Sequence, residues 1–234
     1  MVDGRSRRTA LLLLVPAAVV GASVAGCTGS SSSHGTSAAL SAAKGDSFSA
    51  SKLRGALLTR VNGVGAASSA ASGGYAAMSA KVAGQQSAGG APKPCAQAVG
   101  TGLDSAVLAG ATAATVTFKV SGNDVSELLA AAPGTAAASA LAGRLPASCA
   151  HYKGTVDGKS VTYTVTESAL SGIGKQAKVL NVSSAAGGSD SRWSLVYRGA
   201  GFVGAVTVVG PNASKSAVSE LGRQAYTYAA KSLS

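Results

Sequence analysis

Thr115-Val116-Thr117-Phe118-Lys119-Val120 alternates polar and apolar side chains one by one, and Ser121-Gly122-Asn123-Asp124 follows directly. A period of two sends alternate side chains to opposite faces of a strand, and Ser-Gly-Asn-Asp supplies turn chemistry. Val125 to Ala131 is then read as the returning strand, stopped by Pro133-Gly134. The same alternation recurs downstream. Val161, Tyr163 and Val165 interleave with Thr162, Thr164 and Thr166, and Trp193, Leu195 and Tyr197 interleave with Ser194, Val196 and Arg198. Lys178 to Val182 adds a further strand. Phe202 to Val209 is apolar at both phases, as expected of a central strand covered on both sides.

Helical spacing flanks these strands. Ser49 or Ser51 can cap a helix through Leu53, Leu57 and Leu58 to Val61. Cys95 to Leu108 carries Val99, Leu103 and Val107 at helical intervals, and Ala136 to Leu145 reads as an alanine-rich helix. Asn212 is expected to cap a last helix whose stripe is Val218, Leu221, Ala225, Tyr228 or Ala229, and Leu233. Tyr75 to Val82 is read as a strand. The expected fold class is α+β: a twisted, mostly antiparallel sheet of about five to six strands, with flanking N-terminal, middle and C-terminal helices on one face.

The first residues belong to another kind of segment. Arg5, Arg7 and Arg8 precede an apolar run from Ala10 to Val24, which closes on Val24-Ala25-Gly26-Cys27. This resembles a bacterial lipoprotein signal with its lipobox, which implies cleavage before Cys27 and a diacylglycerol thioether on its sulfur. The apolar run is shorter than the roughly 20 residues that a bilayer-spanning helix needs. Ser6-Arg7-Arg8 leaves the choice between general secretion and twin-arginine export open. Residues 27–44 are rich in Ser, Gly and Ala, and are expected to be a flexible tether reaching on the order of 20–25 Å. The expected organisation is a signal peptide at 1–26, a tether at 27–44 and a single domain at 45–234.

Removing residues 1–26, with their three arginines and Asp3, lowers the formal charge from +11 to +9. The basic side chains are scattered singly, without the clustering and interleaved aromatics of a nucleic-acid surface, so no nucleic-acid partner is expected. Anionic lipid head groups or acidic wall polymers suit a dispersed positive surface better, and a solvated surface with no specific partner is the default expectation. With Cys27 assigned to lipid, Cys95 and Cys149 remain as an even pair in an oxidising compartment, and one disulfide is expected. There is no Cys-x-x-Cys, and the cysteines and histidines lack finger or zincin spacing, so neither redox chemistry nor a metal or other cofactor is expected.

From Leu53 onward the order of features resembles the extracellular sensor domain of mycobacterial PknH-type serine/threonine kinases, which also recurs as free actinobacterial lipoproteins. The resemblance rests on the Leu57-Leu58 helix, the strand-turn-strand around Val116-Thr117-Phe118 and Val125, and the Ala-rich helix into Cys149. It continues through Val161-Thr162-Tyr163, the Leu170-Ser171-Gly172-Ile173-Gly174 turn, the aromatic hairpin and the final helix. It implies a twisted antiparallel sheet with helices around a cleft, binding an unidentified extracytoplasmic ligand. Any signal would then pass through a separate partner.

Catalytic sets are sparse. His151 is the one histidine in the expected domain, no Gly-x-Ser-x-Gly elbow is present, and no two acids have a spacing that pairs them for glycoside hydrolysis. The aromatic hairpin offers more. Apolar alternation explains Tyr163, Trp193, Tyr197 and Phe202 as ordinary core; in the functional alternative, with Arg198 at the lip, they line a cleft for an amphiphile or a sugar-containing wall fragment. The expected protein is a lipid-anchored, extracytoplasmic module of the cell membrane that binds a ligand without catalysis. Alternatives are a carrier of lipid or lipoglycan and, less favoured, an envelope hydrolase using His151.

Overall fold

The computed structural model describes residues 48–61, 64–84, 90–156, 158–184 and 191–234. The expected signal peptide, the tether and Cys27 lie outside the described residues. Five helices and ten strands are described: α1 (Ala50–Gly55), β1 (Arg60–Val61), β2 (Val64–Ala66), β3 (Ser69–Gly74), α2 (Tyr75–Gly84), α3 (Lys93–Gly100), β4 (Thr112–Val120), β5 (Asn123–Ala131), α4 (Gly134–Ala142), β6 (His151–Val156), β7 (Lys159–Leu170), β8 (Gln176–Ser184), β9 (Arg192–Arg198), β10 (Phe202–Val209) and α5 (Lys215–Leu233). A single 3-10 turn, Ala147–Cys149, precedes β6.

The fold is α+β, and its main sheet is antiparallel throughout, in the order β3-β4-β5-β10-β9-β8-β7-β6. It has eight strands rather than five to six. The two that the sequence pattern hid are both edges. β3 is Ser-Ala-Ala-Ser-Gly-Gly, without a hydrophobic alternation, and β6 carries only Tyr152 and Gly154 as buried positions. Tyr75 to Gly84 is a helix rather than a strand, since Tyr75, Met78 and Val82 recur at intervals of three and four and share one buried stripe.

Helices cover both faces of the sheet, not one. Strand alternation sends Phe202, Val206 and Val208 of β10 towards α1 and α5, while Val203 and Ala205 point the opposite way, towards α2 and α4. This two-sided cover is what the doubly apolar Phe202–Val209 demands, and β10 is indeed central, paired to β5 and β9. A third cluster continues the α2–α4 face towards β6: Cys95 and Val99 of α3 and Cys149 pack on Tyr152, Tyr163, Val165 and Val182. Cys95 and Cys149 are joined in the expected disulfide.

Cap chemistry fixes the helix starts. Ser49 Oγ accepts from Lys52 N–H, and Ser214 Oγ accepts from Ala217 N–H. Asn212 is therefore not the cap of α5. Its N–H donates to Asn123 Oδ1 and its side-chain amide donates to Ser121 O, tying the turn before α5 to the β4–β5 turn. The stripe of α5 settles on Ala229, with Tyr228 facing outward. Gly204 is required where it stands: a Cβ there would run into the ring of Tyr197, which lies across β10.

A row of hydroxyls crosses five strands on the α2–α4 face. Ser69, Thr117, Ser126, Thr207 and Ser194 stand opposite one another in register. Ser69 and Thr117 hydroxyls lie 2.9 Å apart, Ser194 and Thr207 hydroxyls 3.0 Å apart, and Arg192 Nε donates to Ser194 Oγ at 3.3 Å. Burial lowers the Arg192 pKa to about 10.

Candidate functional site

A charged opening lies at the C-terminal end of α4. Its walls are the 102–105 loop, Gly143–Pro146 after α4, and Glu167, Lys178 and Leu180 on the face of β7 and β8 that carries α4; the cavity measures about 180 Å³. Each wall is fixed by chemistry that the sequence supplies. Gly102 has φ 72°, and a Cβ there would come within 2.7 Å of Leu180 Cδ1, so the loop backbone packs directly on the Leu180 side chain of β8. Tyr75 Oη and Thr101 Oγ1 lie 2.9 Å apart and anchor the loop to α2. Asp104 N–H donates to Ala140 O at 3.0 Å, which anchors it to α4.

Lys178 is the central side chain. It is 8 % exposed, and its Nζ donates to Gly143 O at 2.6 Å and to Glu167 Oε2 at 3.2 Å. A helix end leaves carbonyls without intrahelical partners and carries partial negative charge, so an ammonium group is favoured there. Asp104 Oδ1 accepts from Ala106 and Val107 N–H at 2.9 and 3.4 Å and stiffens the adjacent turn. Arg144 is exposed at the rim and makes no ion pair among the described residues. Leu103, Leu145, Pro146 and Leu180 supply the apolar part of the wall. The arrangement holds two cations and two carboxylates around a small cavity, which is equipment for binding and orienting.

The residues singled out from sequence are placed elsewhere. Tyr197 and Phe202 meet edge-on, with centroids 6.3 Å apart, and Tyr226 of α5 closes on both. All of this lies beneath α5, with Trp193 partly buried against the same cluster. Tyr163 instead stacks on Tyr152 at 5.0 Å in the cluster under α3. Arg198 alternates to the face away from Tyr197, where its Nη1 reaches Gly134 O at 3.5 Å. The structure thus brings Trp193, Tyr197 and Phe202 together, and sends Tyr163 and Arg198 to the opposite side of the sheet. None of the five lines the cavity at α4, nor a second cavity of about 190 Å³ where Thr117, Lys119 and Asp124 meet. His151 is exposed on the edge strand β6, its Nδ1 3.3 Å from Thr164 Oγ1.

Two functional-looking side chains were missed, and both carried a signal. Lys178 is in phase with Leu180 and Val182, and Glu127 is in phase with Val125 and Leu129, so each is an ionisable group at an inward strand position. Glu127 is 1 % exposed beneath α1 and α5, where its Oε2 accepts from Leu58 N–H at 2.8 Å and its Oε1 has no partner among the described residues. Burial drives its pKa up to about 8, only partly offset by that hydrogen bond. The Tyr197 hydroxyl is pushed well above its usual pKa by burial first, then by the charges of Glu127 and Tyr226.

No family model matches the chain, and no curated protein matches it. Among solved structures, the chain is similar to the extracellular domain of PknH from Mycobacterium tuberculosis. The identity is 11 % over 80 % of this chain and 98 % of that one, with a TM-score of 0.48. The likeness is one of fold.

Proposed function

We propose that this chain is a lipid-anchored, extracytoplasmic protein whose α+β domain binds a small envelope ligand without transforming it. The observation that carries the binding reading is the cavity at the end of α4, with a buried lysine and three further charged groups around it. A non-catalytic role is supported by the surroundings of His151, which is solvent-exposed and has one hydroxyl neighbour, Thr164. A carrier of lipid or lipoglycan would need an acyl-sized void. The two cavities described, about 180 and 190 Å³, fall below the roughly 300 Å³ at which drug-sized ligand sites begin.

The binding reading is tested by capture. The full chain in detergent is incubated with cell-envelope extract, washed, and its released small molecules are identified by mass spectrometry. Ser105→Trp fills the rim of the cavity from a half-buried loop position. The wild type is expected to retain a compound that the variant retains at least about tenfold less. Equal retention by both, or none by either, sinks the reading.

Anchoring rests on Cys27 and the signal-like residues before it. Cys27→Ser is expected to abolish incorporation of labelled fatty acid and to move the protein out of the membrane fraction. Unchanged labelling would show that Cys27 is not the acceptor. Among the described residues no helix is long and apolar enough to cross a membrane.

A further inference from the structure

We infer that the cavity at the end of α4 receives a free α-amino acid zwitterion with an aliphatic side chain; the inference rests on the binding reading above and names its ligand class. The charges come in both signs, and both have unused capacity. Asp104 keeps Oδ2 and Glu167 keeps Oε1 without partners among the described residues, next to the carbonyl end of α4. An ammonium group is stabilised there by two carboxylates and the helix dipole together. Lys178 spends two of its three N–H donors on Gly143 O and Glu167, leaving one, and Arg144 at the rim makes no ion pair among the described residues. Both favour a carboxylate.

A ligand with one charge would satisfy one half of this set and leave the other half unused, with a desolvation cost that falls mainly on Lys178, the one buried charge of the four. A zwitterion satisfies both at once. Leu103, Leu145 and Leu180 then face the rest of the ligand and favour an aliphatic side chain. Size agrees: about 180 Å³ equals the volume of about six liquid waters at about 30 Å³ each, room for a single amino acid of leucine's size.

The probes are D-leucine, L-leucine, leucinamide (no carboxylate), N-acetylleucine (no ammonium) and glucose (uncharged, of similar bulk). Each is titrated into the ¹⁵N-labelled full chain in detergent while the amide signals of Gly102, Gly143 and Leu180 are followed. At least one leucine enantiomer is expected to shift them saturably, with leucinamide and N-acetylleucine each binding at least about tenfold more weakly. Arg144→Gln and Lys178→Met are each expected to weaken leucine binding by a similar factor. Should Lys178→Met fail to fold, the exposed Arg144→Gln carries the comparison. Equal binding of leucine and its two singly charged analogues, tighter binding of glucose, or no saturable shift with either enantiomer overturns the inference. If any of these occurs while capture from extract still depends on Ser105, the binding reading stands and only the zwitterion falls. If Ser105→Trp leaves capture unchanged, both fall.

Discussion

Glu127→Gln is expected to stabilise the protein at pH 8 and to abolish most of the decline in stability that the wild type shows between about pH 4.5 and pH 8. The sign follows from where the proton sits. Below about pH 4.5 the carboxyl is protonated in both the folded and the unfolded chain, and its burial carries no ionisation penalty. Between 4.5 and about 8 the unfolded chain releases the proton while the folded one keeps it. The folded state then binds more protons than the unfolded state, so stability falls as pH rises, and levels off above the folded value. Each pH unit between the unfolded and folded values is worth about 1.4 kcal/mol, so the full effect is at most about 5 kcal/mol, reduced by any water that reaches the site. Glutamine keeps an oxygen for Leu58 N–H and cannot ionise. Urea unfolding across this pH range, wild type against variant, reads the effect directly. Parallel profiles for the two proteins would show that Glu127 ionises in the native state at no cost.

Loss of the Cys95–Cys149 bridge is expected to cost about 4 kcal/mol, because it frees a loop spanning 54 residues in the unfolded chain. For a domain of this size that corresponds to a fall in Tm of roughly 8–16 °C. The bridge also holds α3 against the 3-10 turn before β6, over the stacked Tyr152 and Tyr163. The Cys95→Ser/Cys149→Ser variant, compared with the wild type by thermal unfolding without reductant, provides the measurement. A loss below about 1 kcal/mol would mean that the unfolded chain is already restrained without the bridge.

Legibility followed the strength of periodicity. Thr115–Val120, Val161–Thr166, Trp193–Arg198 and Phe202–Val209 all lie in strands, because an alternating or doubly apolar run has one way to bury itself in a sheet. Ser69–Gly74 and His151–Val156 escaped because edge strands are held by backbone pairing to one neighbour and need no apolar pattern of their own. The placement of helices on both faces was implicit in the double phase of Phe202–Val209, yet one-sided cover was the expectation. The cavity at α4 was not legible. It joins Asp104, Gly143, Glu167 and Lys178 from four separate segments, and only the fold sets their distances. The aromatic hairpin was legible as a pattern, but aromatic enrichment serves a packed core as well as a cleft, and alternation assigned Tyr163 and Arg198 to the far side.

Strand order divides the sheet into two meanders, β3-β4-β5 and β6 through β10, each built from neighbours in sequence and joined by the pairing of β5 with β10 alone. That one seam pairs Ala131 with Phe202 and Asp124 with Val209, so it links residues made far apart in time. During synthesis from the N-terminus, the first meander stays an open three-stranded piece with an unpaired edge at β5 until Phe202–Val209 has been made. The helix α5, which covers Tyr197 and Phe202, arrives later still. Completion of the sheet therefore waits for β10, and a ribosome-bound chain lacking Phe202–Leu233 has neither the seam nor the cover of α5. Such a chain carries the β5 edge unpaired for as long as β10 is missing, since their pairing is a contact of high sequence separation that forms late.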